Sequence, residues 1–172
     1  TPMTDRVDPA RALGAFMPAV YAIAAEHAPW ARATFAMFRS EPVSPNTVPE
    51  RIACSLDLRH PDAQVLASMD SAMRDALARA AADHGIEFAI EVDNDSPPVQ
   101  FDEACVAAVD EAVAALGFSN QRMVSGAGHD ACYVARHAPT AMIFVPCDDG
   151  LSHNEAENIS PDQAEQGASV LL

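Results

Sequence analysis

Residues 125–157, SGAGHDACYVARHAPTAMIFVPCDDGLSHNEAE, carry the pattern from which the rest of the chain is read. A glycine-interrupted turn holding His129 and Asp130 comes first. The apolar run 140–146 (TAMIFVP) follows, and then a second polar turn with His153, Asn154 and Glu157. The run is short, has proline at both ends, and reads as a buried strand. Polar residues gathered just before and just after a buried strand mark the loop edge of an α/β sheet, where ligands sit. That reading places a candidate site without naming its chemistry.

Working outward, the preceding residues 102–117 read as a helix. Asp102 is its cap, Val106, Val109, Val113 and Leu116 are its apolar stripe, and Gly117 is its stop. After the His153 turn, Ser160-Pro161-Asp162-Gln163 is a capping box that opens a last helix. One strand among three helices makes a poor sheet, so this half reads as part of a larger α/β domain. The polar, proline-terminated DNDSPP at 93–98 is the best domain boundary, separating residues 1–95 from 98–172.

Ahead of that boundary, Asp8-Pro9 starts a helix with Leu13, Phe16, Met17, Val20, Ile23 and Ala24 on one face. Pro18 is expected to kink or divide it. Residues 33–39 (ATFAMFR) form a first strand candidate. In 51–59 (RIACSLDLR), Ile52, Cys54, Leu56 and Leu58 alternate with Arg51, Ser55, Asp57 and Arg59, so one face packs inward and the other meets water or ligand. A helix from 63 to 83 ends at Gly85, and 86–92 (IEFAIEV) alternates as a third strand. This order predicts an α+β unit, an antiparallel sheet with two helices on one face, ferredoxin-like but lacking its first strand.

The 172 residues include 25 carboxylates and ten basic residues, all arginine, for a net charge of −15. Such a balance argues against a nucleic-acid backbone or an anionic membrane as partner. No run approaches the roughly 18 apolar residues of a membrane span, and no basic-then-apolar leader precedes the first helix. Thr1 reads as an internal start or a processed end. The four cysteines form no CxxC pair and read as buried free thiols in a reducing cytoplasm.

Taken in order, TPM, PNTVPE, SLDLRHPD, SGAGHDA, TAMIFVP and GLSHNEAE resemble the C-terminal part of the zinc-dependent N-carbamoyl-L-amino-acid hydrolases. That group includes the allantoate amidohydrolases and β-ureidopropionases. The resemblance runs over essentially the whole chain. It implies a cytoplasmic amidohydrolase with a catalytic α/β domain and an inserted lid that also mediates homodimerisation. Residues 1–95 would be most of that lid and 98–172 the closing segment of the catalytic domain.

On the matching positions, the resemblance makes His153 a metal ligand and Arg59 the grip on a substrate α-carboxylate. Asn46 becomes a lid contact to a small-molecule substrate, and Ser125, Gly126, Ala127 and Gly128 a turn whose backbone lines the substrate pocket. It implies two divalent metals per complete site, from zinc, manganese, cobalt or nickel. The remaining ligands and the general base would lie upstream: this chain has no histidine-x-aspartate motif ahead of the lid, no paired glutamates and no second metal histidine. Glu50 stands where the family usually has glycine.

Beside these roles stand plainer ones. His129 and Asp130 are packing residues or orient a neighbouring ligand. Glu157 either holds the His153 loop or caps the turn. Asp57 and Arg59 share a strand face and bridge to neighbours, and Asn46 between prolines serves as turn chemistry. An aminoacylase- or dipeptidase-like hydrolase and a non-catalytic dimerisation module are the alternative functions.

Overall fold

Asp8 caps α1 (Pro9–Glu26) by accepting a hydrogen bond from the Ala10 N–H at 3.0 Å, with Pro9 opening the helix. The computed structural model describes residues 1–172. Their packing separates into two compact units, Thr1–Pro98 and Val99–Leu172.

In the first unit, β1 (Arg32–Glu41) and β2 (Arg51–Arg59) form a two-stranded antiparallel ladder, followed by α2 (Ala63–His84). Ala33 pairs with Leu58 and Phe35 with Leu56. These four side chains meet Phe16 and Val20 of α1 and Met73, Ala76 and Ala80 of α2 in one cluster, so both helices cover the same sheet face. The Phe16 and Phe35 rings stand edge to face with centroids 5.6 Å apart, an arrangement favoured by the ring quadrupole. The expected α+β plan of helices on an antiparallel sheet is what the chain adopts.

Four expectations are corrected. Of the two outcomes expected of Pro18, division of α1 is the one corrected: the helix runs unbroken from Pro9 to Glu26. A helical proline costs about 3 kcal/mol. Burying Phe16 and Val20 on either side of it returns about 1.5–3 kcal/mol each, which holds the helix together.

Residues 86–92 form no strand, because β1 and β2 pair only with each other. The Ile86 N–H turns back to the Ala81 carbonyl beyond the left-handed Gly85 cap, and Phe88, Ile90 and Val92 stay exposed. An alternating sequence becomes a strand only when a neighbouring backbone supplies the ladder.

For the same reason the run 140–146 is not a strand, and its residues are half-buried or exposed rather than buried. The thiols are not buried either. Cys54 is exposed, and Cys105, Cys132 and Cys147 are half-buried. Cys54 pairs with Phe38 just past an irregularity in β1, where one extra residue intervenes and the Met37 N–H donates to Ser55 Oγ at 2.9 Å. Both Cys54 and Phe38 lie outside the helix-covered cluster.

In the second unit, α3 (Glu103–Leu116), the single-turn α4 (Ala131–Val134) and α5 (Pro161–Leu171) follow in order. Asp102 caps α3 through the Cys105 N–H, and its own N–H donates to the Thr140 carbonyl, so the start of α3 anchors the start of TAMIFVP. Arg122 ties the residues after α3 back to it through Glu103 and Asp110. Helix α5 opens with both halves of the capping box, Ser160 to Gln163 and back. It packs so closely on the apolar run that a Cβ at Gly167 would lie 2.5 Å from Val145 Cγ1.

Candidate functional site

The sharpest local geometry belongs to the loop after TAMIFVP. Its two ends are joined by the Asp148 N–H to the Asn158 carbonyl and by Asn158 Nδ2 to Asp148 Oδ2. Within it, Cys147 Sγ donates to the Leu151 carbonyl, and Asn154 Oδ1 accepts from the Ala156 N–H. His153 sits at φ 56°, a left-handed conformation uncommon outside glycine. Its N–H donates to Glu157 Oε2 at 2.9 Å. Glu157 thus holds the His153 backbone. The imidazole is exposed and makes no hydrogen bond within the chain. A non-glycine residue pinned at positive φ with its ring left unused is a common mark of a functional position.

The SGAG turn is built by Ser125, whose Oγ accepts from the Ala127 N–H at 3.3 Å and lies 3.4 Å from its carbonyl. Residues 126–130 are exposed. His129 Nδ1 accepts from the Ala131 N–H, so its free proton sits on Nε2, and Asp130 precedes α4 without capping it through its side chain. The His129 ring and the Asp130 backbone carbonyl, which accepts from the Tyr133 and Val134 N–H groups, serve the start of α4 separately.

In the first unit, Asn46 lies in the connection between β1 and β2, where Ser44 Oγ donates to its Oδ1 at 3.2 Å. Glu50 closes that connection, its N–H reaching the Glu41 carbonyl. Arg59 ends β2 on the face opposite Leu56 and Leu58. Its Nε donates to Asp57 Oδ1 at 2.7 Å and one terminal nitrogen to Asp57 Oδ2 at 2.9 Å. These bonds hold the Asp57 carboxyl below its ordinary pKa, with a smaller opposing effect of partial burial, and raise that of Arg59. The spacing His60-Pro61-Asp62 is a helix start: Asp62 caps α2 through the Gln64 and Val65 N–H groups, and His60 Nδ1 accepts from the Asp62 N–H.

Asp57 is the contact that sequence reasoning underrated. Its signal was present in the two-residue spacing that puts it beside Arg59 on one strand face. Asn46 and Arg59 fall in one unit and the 125–130 turn and His153 loop in the other.

A metal pair needs several converging imidazole or carboxylate donors. Nowhere does this chain gather three or more His, Cys, Asp or Glu side chains that fit an ion. The donors present do not by themselves fit a metal centre; His153 offers one ring. No helix is long and apolar enough to cross a membrane.

Known proteins resemble this chain over most or all of its length. The N-carbamoyl-L-amino-acid amidohydrolase of Rhizobium meliloti is 39% identical over 172 residues, covering 100% of this chain and 41% of that protein. The allantoate amidohydrolase of Bacillus subtilis is 36% identical over 140 residues, 81% of this chain and 34% of that protein. A crystal structure of a hydantoinase/carbamoylase family amidase from Burkholderia vietnamiensis superposes with a TM-score of 0.92 at 48% identity, over 99% of this chain and 41% of that one. The chain therefore spans about two fifths of the length of such relatives. Residues 8–172 match peptidase family M20/M25/M40, and the chain belongs to that family.

Proposed function

We propose that this chain is the C-terminal part of a divalent-metal-dependent amidohydrolase that cleaves the carbamoyl C–N bond of N-carbamoyl amino acids or related ureido compounds. The observation that carries this reading is His153: an exposed ring on a left-handed backbone position, held by Glu157 and engaged in nothing else. The names of the two relatives support the bond type. In this reading His153 is one ligand of a zinc, manganese, cobalt or nickel pair. Arg59 grips the substrate carboxylate through its planar fork. Asn46 hydrogen-bonds substrate from the lid, and Ser125, Gly126, Ala127 and Gly128 line the pocket. Residues 1–95 act as lid and 98–172 as the closing segment of the catalytic domain. His129 and Asp130 order the start of α4 beside that pocket lining. The remaining ligands and the general base belong to other parts of a longer cytoplasmic polypeptide.

The isolated chain is therefore expected to be inactive. Purified chain of confirmed mass, assayed on N-carbamoyl amino acids with added zinc, manganese or cobalt, should show no turnover. Turnover that disappears in Arg59→Ala would refute the division of labour.

A second reading, a lid that forms a homodimer through strand edges, is favoured by one observation. Both strands of the sheet have an open edge, and Phe88, Ile90 and Val92 lie exposed in a segment with strand alternation but no ladder. Sedimentation of the chain as a dimer without metal uptake would support it, and a monomer across the micromolar range would count against it.

A further inference from the structure

The end of α1 and the end of β2 bring two imidazoles together. His27 caps the C-terminus of α1, its N–H donating to the Ala24 and Ala25 carbonyls. His60 follows β2 directly. Their rings stand edge to face with centroids 6.1 Å apart, and both residues are half-buried. The His27 ring makes no hydrogen bond within the chain, so the fold commits neither of its nitrogens. His60 Nδ1 lies 3.0 Å from the Asp62 nitrogen and 3.3 Å from the Asp62 carbonyl oxygen. With its proton on Nδ1, the ring donates to that carbonyl and presents the Nε2 lone pair. This is the arrangement in which a backbone oxygen orients a metal-binding histidine. The exposed Asp62 N–H then turns to water.

Two imidazoles that share one ion, each nitrogen about 2.0–2.1 Å from it, place their ring centroids up to about 6.4 Å apart. The observed separation lies within that span. Charge favours a cation there too. The dipole of α1 ends at His27, Glu26 precedes that residue, and Asp62 stands two beyond His60. Of the two arginines that face each other at this end of the ladder, Arg32 is drawn to the Pro29 and Ala31 carbonyls and Arg59 to Asp57.

We propose that His27 and His60 bind one zinc ion, or another divalent ion of the imidazole-preferring class, with water completing its shell. Such an ion ties the end of α1 to the turn that opens α2. Both ligands belong to the first unit, and the proposal does not depend on the role assigned to His153.

The test uses the 172-residue chain, stripped of metal by dialysis against a chelator and titrated with zinc chloride. Zinc should shift the ring-nitrogen NMR signals of His27 and His60 together, saturating at one ion per chain, and should raise the melting temperature. His27→Gln and His60→Gln should each weaken zinc binding by more than about tenfold, since even an indirect support of a metal ligand is worth that much. The double variant should be no worse than either single one, because the two rings act as a unit. His153→Ala should titrate like the parent chain. The proposal is overturned if zinc shifts only one of the two rings in the parent chain, or neither. Binding that survives in the double variant, or that is lost in His153→Ala, also overturns it, since either outcome places the ion elsewhere. Should a variant fail to fold, the parent spectrum alone decides.

Discussion

The backbone N–H of His153 donates to the side chain of Glu157 four residues later, at 2.9 Å, while His153 itself holds a left-handed φ of 56°. A carboxylate that accepts from a backbone amide across a tight loop fixes the loop's shape, and here the shape sets where an unengaged imidazole stands. Other hydrogen bonds close the loop around it, but this one engages the His153 N–H itself, so it is expected to govern the opening of that amide. In Glu157→Ala the His153 amide should exchange with solvent markedly faster. In Glu157→Gln, which retains an acceptor, protection should be largely kept. Equal exchange in all three proteins, measured residue by residue, would show that the loop is held by something else.

Met69 and Val20 are the largest fully buried side chains of the chain. Truncating a buried methionine leaves a cavity that neighbours refill only in part, so Met69→Ala should lose about 2–5 kcal/mol in urea unfolding. A loss below 1 kcal/mol would mean that α2 collapses into the gap.

Gly167 is small because of Val145. A methyl at position 167 would press on Val145 Cγ1 at 2.5 Å, and overpacking of that kind costs about 1–3 kcal/mol. Gly167→Ala should lower the melting temperature, although alanine is the better helix former. Adding Val145→Ala should recover part of the loss. Stabilisation by Gly167→Ala alone would show that α5 does not seat on residues 140–146.

Two carboxyls of the first unit are held below their ordinary pKa in the folded chain. The cause is the Arg59 hydrogen bond at Asp57 and, at Asp62, the Val65 and then the Gln64 N–H groups. A folded-state pKa below the unfolded one stabilises the fold above the unfolded value, about 3.9 for aspartate. That contribution is lost as pH falls through the folded value. Stability should therefore decline below about pH 4, and Asp57→Asn with Asp62→Asn should flatten the decline. Melting temperatures collected from pH 3 to pH 7 would reveal it; an unchanged slope in the double variant would assign acid sensitivity elsewhere.

The parts of this fold that could be read in the sequence are those whose physics is local. The caps Asp8, Asp62, Asp102 and Ser160, and the glycine stops Gly85 and Gly117, each state a helix end within a few residues. The alternation of 51–59 placed Leu56 and Leu58 inward and Asp57 and Arg59 outward, as found. What failed depended on distant partners. Residues 86–92 and 140–146 have strand sequences and no ladder to join, because backbone pairing is a property of two segments. Pro18 misled in the opposite way, its local penalty overridden by the tertiary burial of Phe16 and Val20. At the site, the histidine, asparagine and arginine positions came from motifs, the Glu157 support was one of two readings of its turn and is the one found, and the Asp57 grip was legible only as a shared strand face, since spacing does not say which neighbour a carboxylate takes.

The central claim, that His153 is one ligand of a metal pair completed by the rest of a longer polypeptide, is tested most directly by counting metal. Full-length enzyme and its His153→Ala variant, equally folded by circular dichroism, should be dialysed and measured for bound metal per polypeptide by inductively coupled plasma mass spectrometry. The account predicts that the variant loses one ion of the pair and its turnover with it. An unchanged metal content with intact hydrolysis would contradict it.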